Sequence, residues 1–80
     1  MRQISMVDFV VLKDYVKDEG TRNWGIVVAP GPLLTAQVAW ATENGTDARF
    51  TMWHDSFAKV THYVFEEPAD ALLFRLRWVS

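Results

Sequence analysis

Two stretches in the second half of the chain alternate between apolar and polar positions. Residues 48–54 (Ala-Arg-Phe-Thr-Met-Trp-His) and 58–66 (Ala-Lys-Val-Thr-His-Tyr-Val-Phe-Glu) carry the period-2 signature of half-buried strands. With the turn formers Asp55-Ser56 between them, they predict an antiparallel hairpin. The first stretch behaves differently. Ile4, Met6, Val7, Phe9, Val10, Val11 and Leu12, plotted at about 100° per residue, go all the way round a helix, as do the charges. Their β-branched and aromatic content predicts instead a strand over 3–14. After the polar turn region at 17–22, the run Trp24 to Ala29 is apolar on both faces, as expected of a central strand. Segments 3–14 and 23–29 are therefore expected to form a second hairpin.

Residues 31–43 admit two readings. Gly31-Pro32 suits a helix start, Asn44-Gly45 a helix end, and Ala36, Ala39 and Ala41 favour helix. Against this, Leu34, Ala36, Val38 and Trp40 alternate with more polar neighbours, and Asn-Gly is also a strong hairpin signal. The alanines favour the helix. The last element starts at Glu67-Pro68, with Asp70 near its beginning and Arg75 and Arg77 near its end, a polarity that suits a helix dipole. Ala69, Leu72, Leu73 and Leu76 form the stripe expected to pack on the sheet, with Ala71, Phe74 and Trp78 opposite. A strand from Leu72, alternating Phe74, Leu76 and Trp78 against the arginines, is the other reading. The predicted order is strand, strand, helix, strand, strand, helix. It describes a single α+β domain over residues 1–80, an antiparallel four-stranded sheet with two helices on one face. By element order this is ferredoxin-like in a permuted arrangement, with 23–29 and 58–66 central.

Composition narrows the function classes. Eighty residues without cysteine exclude a disulfide scaffold and a zinc-thiolate module. Half the residues are hydrophobic and the net charge is only −2, which argues for a folded core and against bulk-charge binding of a polyanion. No secretory apolar region and no run approaching 18 apolar residues occurs, so the chain reads as a soluble cytoplasmic protein with no membrane partner. His54, Asp55 and Ser56 are adjacent, and neighbouring side chains on a strand point apart. They therefore suit turn chemistry better than a nucleophile, base and orienter. His54 and His62 face each other across the predicted hairpin but lack a carboxylate to complete a metal site. No phosphate loop or nucleotide fingerprint is present. No catalytic, cofactor-binding or metal-binding residue is therefore assigned, and no cofactor is expected.

Aromatic content is the unusual quantity, with four tryptophans. Trp24 and Trp40 fall where a small core needs bulk. If Ala58, Val60 and Val64 face the helices, then Trp53, Tyr63 and Phe65 share the open face with Arg49 and Lys59. Such a face can anchor a protein partner or stack bases and hold phosphates. Phe74 and Trp78 on the far side of the last helix offer a second contact surface.

From Thr61 to Trp78 the chain resembles the ending of small tailed-bacteriophage accessory proteins, in which an extended segment precedes an Asp-Ala pair and a Phe-x-Leu-x-Trp tail. The matching positions are Asp70, Ala71, Phe74, Leu76 and Trp78. The resemblance covers about a quarter of the chain and brings no catalytic residues. It implies a phage protein in a bacterial cytoplasm that binds a host protein. The expected function is thus a non-enzymatic module that binds and modulates a host protein through Trp53, Tyr63, Phe65, Phe74 and Trp78. The alternatives are a single-strand nucleic-acid binder using Arg49 and Lys59, and a homodimeric structural protein.

Overall fold

A computed structural model describes residues 1–15 and 23–79; the polar turn expected at 17–22 lies outside the described residues. The fold is α+β, built on a four-stranded mixed sheet in the order β1-β3-β4-β2. The expected hairpin forms from β3 (Arg49–Asp55) and β4 (Val60–Phe65), which pair antiparallel. Asp55 Oδ1 accepts the backbone N–H groups of Phe57 and Ala58, both at 3.0 Å, and so shapes the turn as its short carboxylate suggests. Strand β2 (Gly25–Pro30) pairs antiparallel with β4 alone and forms an edge. The expectation of a central strand over 23–29 fails because the first segment does not pair beside it. At the opposite edge, β1 (Arg2–Gln3) runs parallel to β3, so the sheet is not wholly antiparallel.

The first segment is helical rather than extended. Helix α1 (Met6–Val10) continues as a π-helical turn over Val11–Tyr15. The Ser5 hydroxyl accepts the Asp8 N–H at 3.0 Å, which supplies one of the bonds a helix start lacks. Ser-x-x-Asp is thus the local signal that outweighs β-branched content. The permuted ferredoxin-like order needs 3–14 as a strand, which it is not. Helix α1 covers one face of the sheet: Phe9 packs with Trp24 and Val64, flanked by Ile4, Met6, Leu12 and Trp53. Val7 and Val11 remain exposed. Apolar residues all round this segment therefore do not mean burial on every side.

The other face carries helices α2 (Thr35–Glu43) and α3 (Pro68–Trp78), so both ambiguous segments are helical. Asn44-Gly45 ends α2: Asn44 Nδ2 donates to the Trp40 carbonyl at 2.8 Å, and Gly45 takes a φ of +79°, where a Cβ is disfavoured. The Met1 ammonium donates to the carbonyls of Ala41 (3.0 Å) and Asn44 (2.7 Å), a cation at a helix C-terminus. In α3, Glu67 accepts the Ala69 N–H at 3.2 Å and Pro68 opens the helix, as an N-cap carboxylate and an N1 proline should.

Cross-strand register fixes which strand residues face these helices. Phe50 lies opposite Phe65, and Met52 opposite Tyr63, which in turn lies opposite Val27. The core therefore contains Phe50, Tyr63, Phe65, Val27 and Ala29 beneath Phe74, Ala71 and Ala41. Phe74 is its centre, with ring centroids 4.4 Å from Tyr63, 5.2 Å from Phe65 and 6.1 Å from Trp40. The expected facing of β4 is thus reversed: Tyr63 and Phe65 point to the helices, and Val64 points to α1. The facing of α3 is reversed as well. Ala71 and Phe74 are buried with Trp78 packed against them, while Leu72, Leu73 and Leu76 point outward.

Gly25 permits the close approach of α3, since a Cβ there would lie 2.6 Å from the Cβ of Ala71 and 3.4 Å from Pro68 Cα. Gly25→Ala must push the helix away from the sheet. It is expected to cost about 1–3 kcal/mol, the usual range for overpacking, read as a lowered midpoint in denaturant unfolding. Tyr63 supplies a pH test. Its buried hydroxyl donates to Gln37 Oε1 at 2.7 Å, and desolvation raises its pKa from 10.0 to about 12. A phenol favoured in its neutral form by folding stabilises fully below pH 10.0, and that contribution is lost as pH rises through about 12. Thermal melts should show Tyr63→Phe less sensitive than wild type across this alkaline window.

Candidate functional site

The aromatic and basic residues picked out by the sequence do not assemble into an open face. Tyr63, Phe65 and Phe74 are fully buried. Trp53 pairs with His62, not Tyr63, so it lies on the α1 face of the sheet, stacked on the His62 ring at 4.9 Å and 12°. Trp78 packs against Phe74 at 6.5 Å, with the Arg77 guanidinium 4.3 Å over its own ring. Arg49 and Lys59 sit at opposite ends of the β3–β4 hairpin. Arg49 is held at its open end by Glu66, through Nη2 to Oε2 at 2.7 Å and Nε to Oε1 at 3.1 Å. These hydrogen bonds, with one from the Arg49 backbone N–H, hold the Glu66 carboxyl below its usual range. Lys59 ends the turn in the left-handed region at φ 58°.

The polar residues near the turn have structural partners. His54 Nδ1 is 3.1 Å from Thr61 Oγ1. His54 follows the parity of Phe50 and Met52 while His62 has the opposite parity, so the two imidazoles lie on different faces of the sheet. Among the described residues, no group of three or more His, Cys, Asp or Glu side chains is placed to hold a metal ion. None of the described helices is long and apolar enough to cross a membrane.

Among the described residues, the β2 edge is left open. Gly31 N–H donates to the Lys59 carbonyl at 2.9 Å, in register with the β2–β4 ladder. Hydrogen-bonded pairs alternate along an antiparallel ladder, so Gly25, Val27 and Ala29 turn their amides towards β4. Ile26 and Val28 therefore turn theirs outward from the sheet. Pro30 falls on the outward set, where its missing N–H costs no ladder bond. The exposed side chains here are apolar, with Ile26 59% and Val28 45% exposed. No residue of Gly25–Pro30 carries a charge, although natural sheet edges are usually protected by charge, proline or a cover.

Helix α3 extends this surface. It follows β2 in the same direction, since Pro68 and Ala71 approach Gly25 while Arg75, Leu76 and Val79 line an open cleft with Ile26, Val27 and Val28. The cleft has a volume of about 400 Å³. Leu72 and Leu76, spaced at i and i+4, are 57% and 62% exposed and continue the apolar stripe. Sequence reasoning missed this site because it gave the leucines to the core. Ile26 and Val28 were legible as apolar, but nothing local in the sequence tells an edge strand from a central one. A separate apolar group, the Phe57 side chain on the β3–β4 turn, is 99% exposed.

Comparison with protein families, curated proteins and solved structures returns no match.

The inverted facing of α3 yields a direct test. Phe74→Ala should cost about 3–5 kcal/mol, whereas Leu73→Ser, also on the outward side, should stay within about 0.5 kcal/mol of wild type. Urea unfolding of both variants measures this, and equal losses would contradict the arrangement.

Proposed function

We propose that the chain is a non-catalytic protein-binding module whose contact surface is the free edge of β2 together with the outward stripe of α3. The observation that carries this reading is an uncharged, outward-facing strand edge beside an aliphatic cleft. Contiguous apolar surface flanked by polar residues is typical of interaction sites, and an open edge lets a partner add a strand by main-chain pairing with side chains seated in adjacent pockets. A binding role is further supported by the structural engagement of His54, Asp55 and Glu66 in turn and strand contacts. The likeness of 61–78 to tailed-phage accessory proteins supports a bacterial host protein as the partner, met in the cytoplasm. The anchors are aliphatic and backbone groups, in place of the aromatic set Trp53, Tyr63, Phe65, Phe74 and Trp78.

Affinity capture from bacterial lysate, run in parallel with variants, tests this reading. The captured protein should be lost with Val28→Pro, which removes an outward donor without touching the β4 ladder, and with Leu72→Lys. Trp53→Ala should retain it. Equal capture by all of them would place the contact surface elsewhere.

A further inference from the structure

We infer that the β2 edge is filled by a second copy of this chain, paired antiparallel through β2 about a two-fold axis at Val27. This inference rests on the proposed contact surface and gives the β2 edge to a second copy in place of the host protein. The hydrogen-bond parity of the edge selects the arrangement. In an antiparallel pair, outward-facing residues must meet outward-facing residues, so the axis must pass through a residue and not between two. With the axis at Val27, Ile26 meets the second copy's Val28, and Val28 meets the second copy's Ile26. Each of these pairs exchanges two N–H···O=C bonds, and every donor has an acceptor. An axis at Val28 would set Ile26 against the second copy's Pro30, which has no N–H, and leave that pair with one bond in place of two. Pro30 thus favours the axis at Val27, which keeps it out of the two central pairs.

Side chains match under the same operation. On the α1 face, Ile26 and Val28 of each copy become apolar cross-strand neighbours. On the other face, Val27 lies on the axis, and the stripe of Leu72, Leu76 and Val79 meets its own symmetry mate. Because α3 follows β2 in direction, the two α3 helices run antiparallel. Charge is complementary there: the acidic start at Glu67 of one copy lies alongside the basic end at Arg75 and Arg77 of the other, and the helix dipoles oppose favourably. The β2 strand itself adds no charge that would repel its copy. One patch that complements itself is what an isologous two-fold interface requires.

Light scattering coupled to size exclusion, on the full chain at high micromolar concentration, should give twice the 9.2 kDa chain mass. Val28→Pro and, independently, Ile26→Lys should each halve that mass while keeping the wild-type far-ultraviolet circular dichroism; if the proline variant does not fold, the lysine variant decides. The chain has no cysteine, so single-cysteine variants read the register without background. Val27→Cys on the axis should form a disulfide-linked dimer on mild oxidation, and Val28→Cys should not. A monomeric wild type, a dimer that survives Ile26→Lys, or cross-linking through position 28 instead of 27 overturns the inference. A monomeric wild type whose lysate partner is still lost on Val28→Pro would overturn the second copy alone. Loss of neither mass nor partner on substitution would remove the contact surface itself.

Discussion

The absence of a side chain at Gly25 governs how the upper layer sits. With Ala71 Cβ placed 2.6 Å from where a Gly25 Cβ would be, α3 lies low over β2 and presents its Ala71 side to the strand. Phe74 is three residues on from Ala71, and Trp78 four further, so both share that side. Lowering the helix brings Phe74 to 4.4 Å from Tyr63 and 5.2 Å from Phe65. Aromatic rings bury more area than leucines and gain further from tilted ring contacts. The leucine stripe is accordingly the one left outside. The open surface is therefore a by-product of how the core is satisfied.

Polar contacts then fix the ends of the elements around that core. Asp70, buried on the first turn of α3, accepts Thr46 N–H at 3.1 Å and Thr46 Oγ1 at 2.7 Å. This ties the loop after α2 to the helix that carries Phe74. Arg49 and Glu66 close the open end of the β3–β4 hairpin. Gln37 answers the buried Tyr63 phenol. Such groups contribute modestly while paired and are costly when left alone, so they specify the arrangement more than they stabilise it.

The sequence makes some of this legible and hides the rest for definite reasons. The β3–β4 hairpin was readable because Asp55-Ser56 and two alternating runs agree. Helices α2 and α3 were readable from alanine content, end signals and the charge polarity between Glu67 and Arg77. Which face of each element turns inward was not. On β4 both sets are apolar, Val60 and Val64 against Tyr63 and Phe65, and on α3 leucines compete with Phe74 and Trp78. Alternation gives parity without its sign when both faces end up covered, as the packing of α1 over Val64 shows. The first segment misled because its apolar residues serve a short helix with a Ser5 cap, a local signal outweighed in the reading by β-branched composition. The aromatic site expected at Trp53, Tyr63 and Phe65 depended on that sign, and the aliphatic edge at Ile26 and Val28 emerges only once strand order is known.

The two rims of the sheet are unequal in a way that bears on how far association can go. One is the six-residue β2; the other is β1, only two residues long, with Arg2 donating through Nε to the Asp47 carbonyl at 2.7 Å. A sheet with two adhesive rims can add copies without end and grow into a fibre. Among the described residues, β2 offers the longer outward row, and the opposite rim carries the Arg2 guanidinium. If β2 pairs with a second copy as inferred, the longest row of outward main-chain groups among the described residues is used up, and growth stops at two.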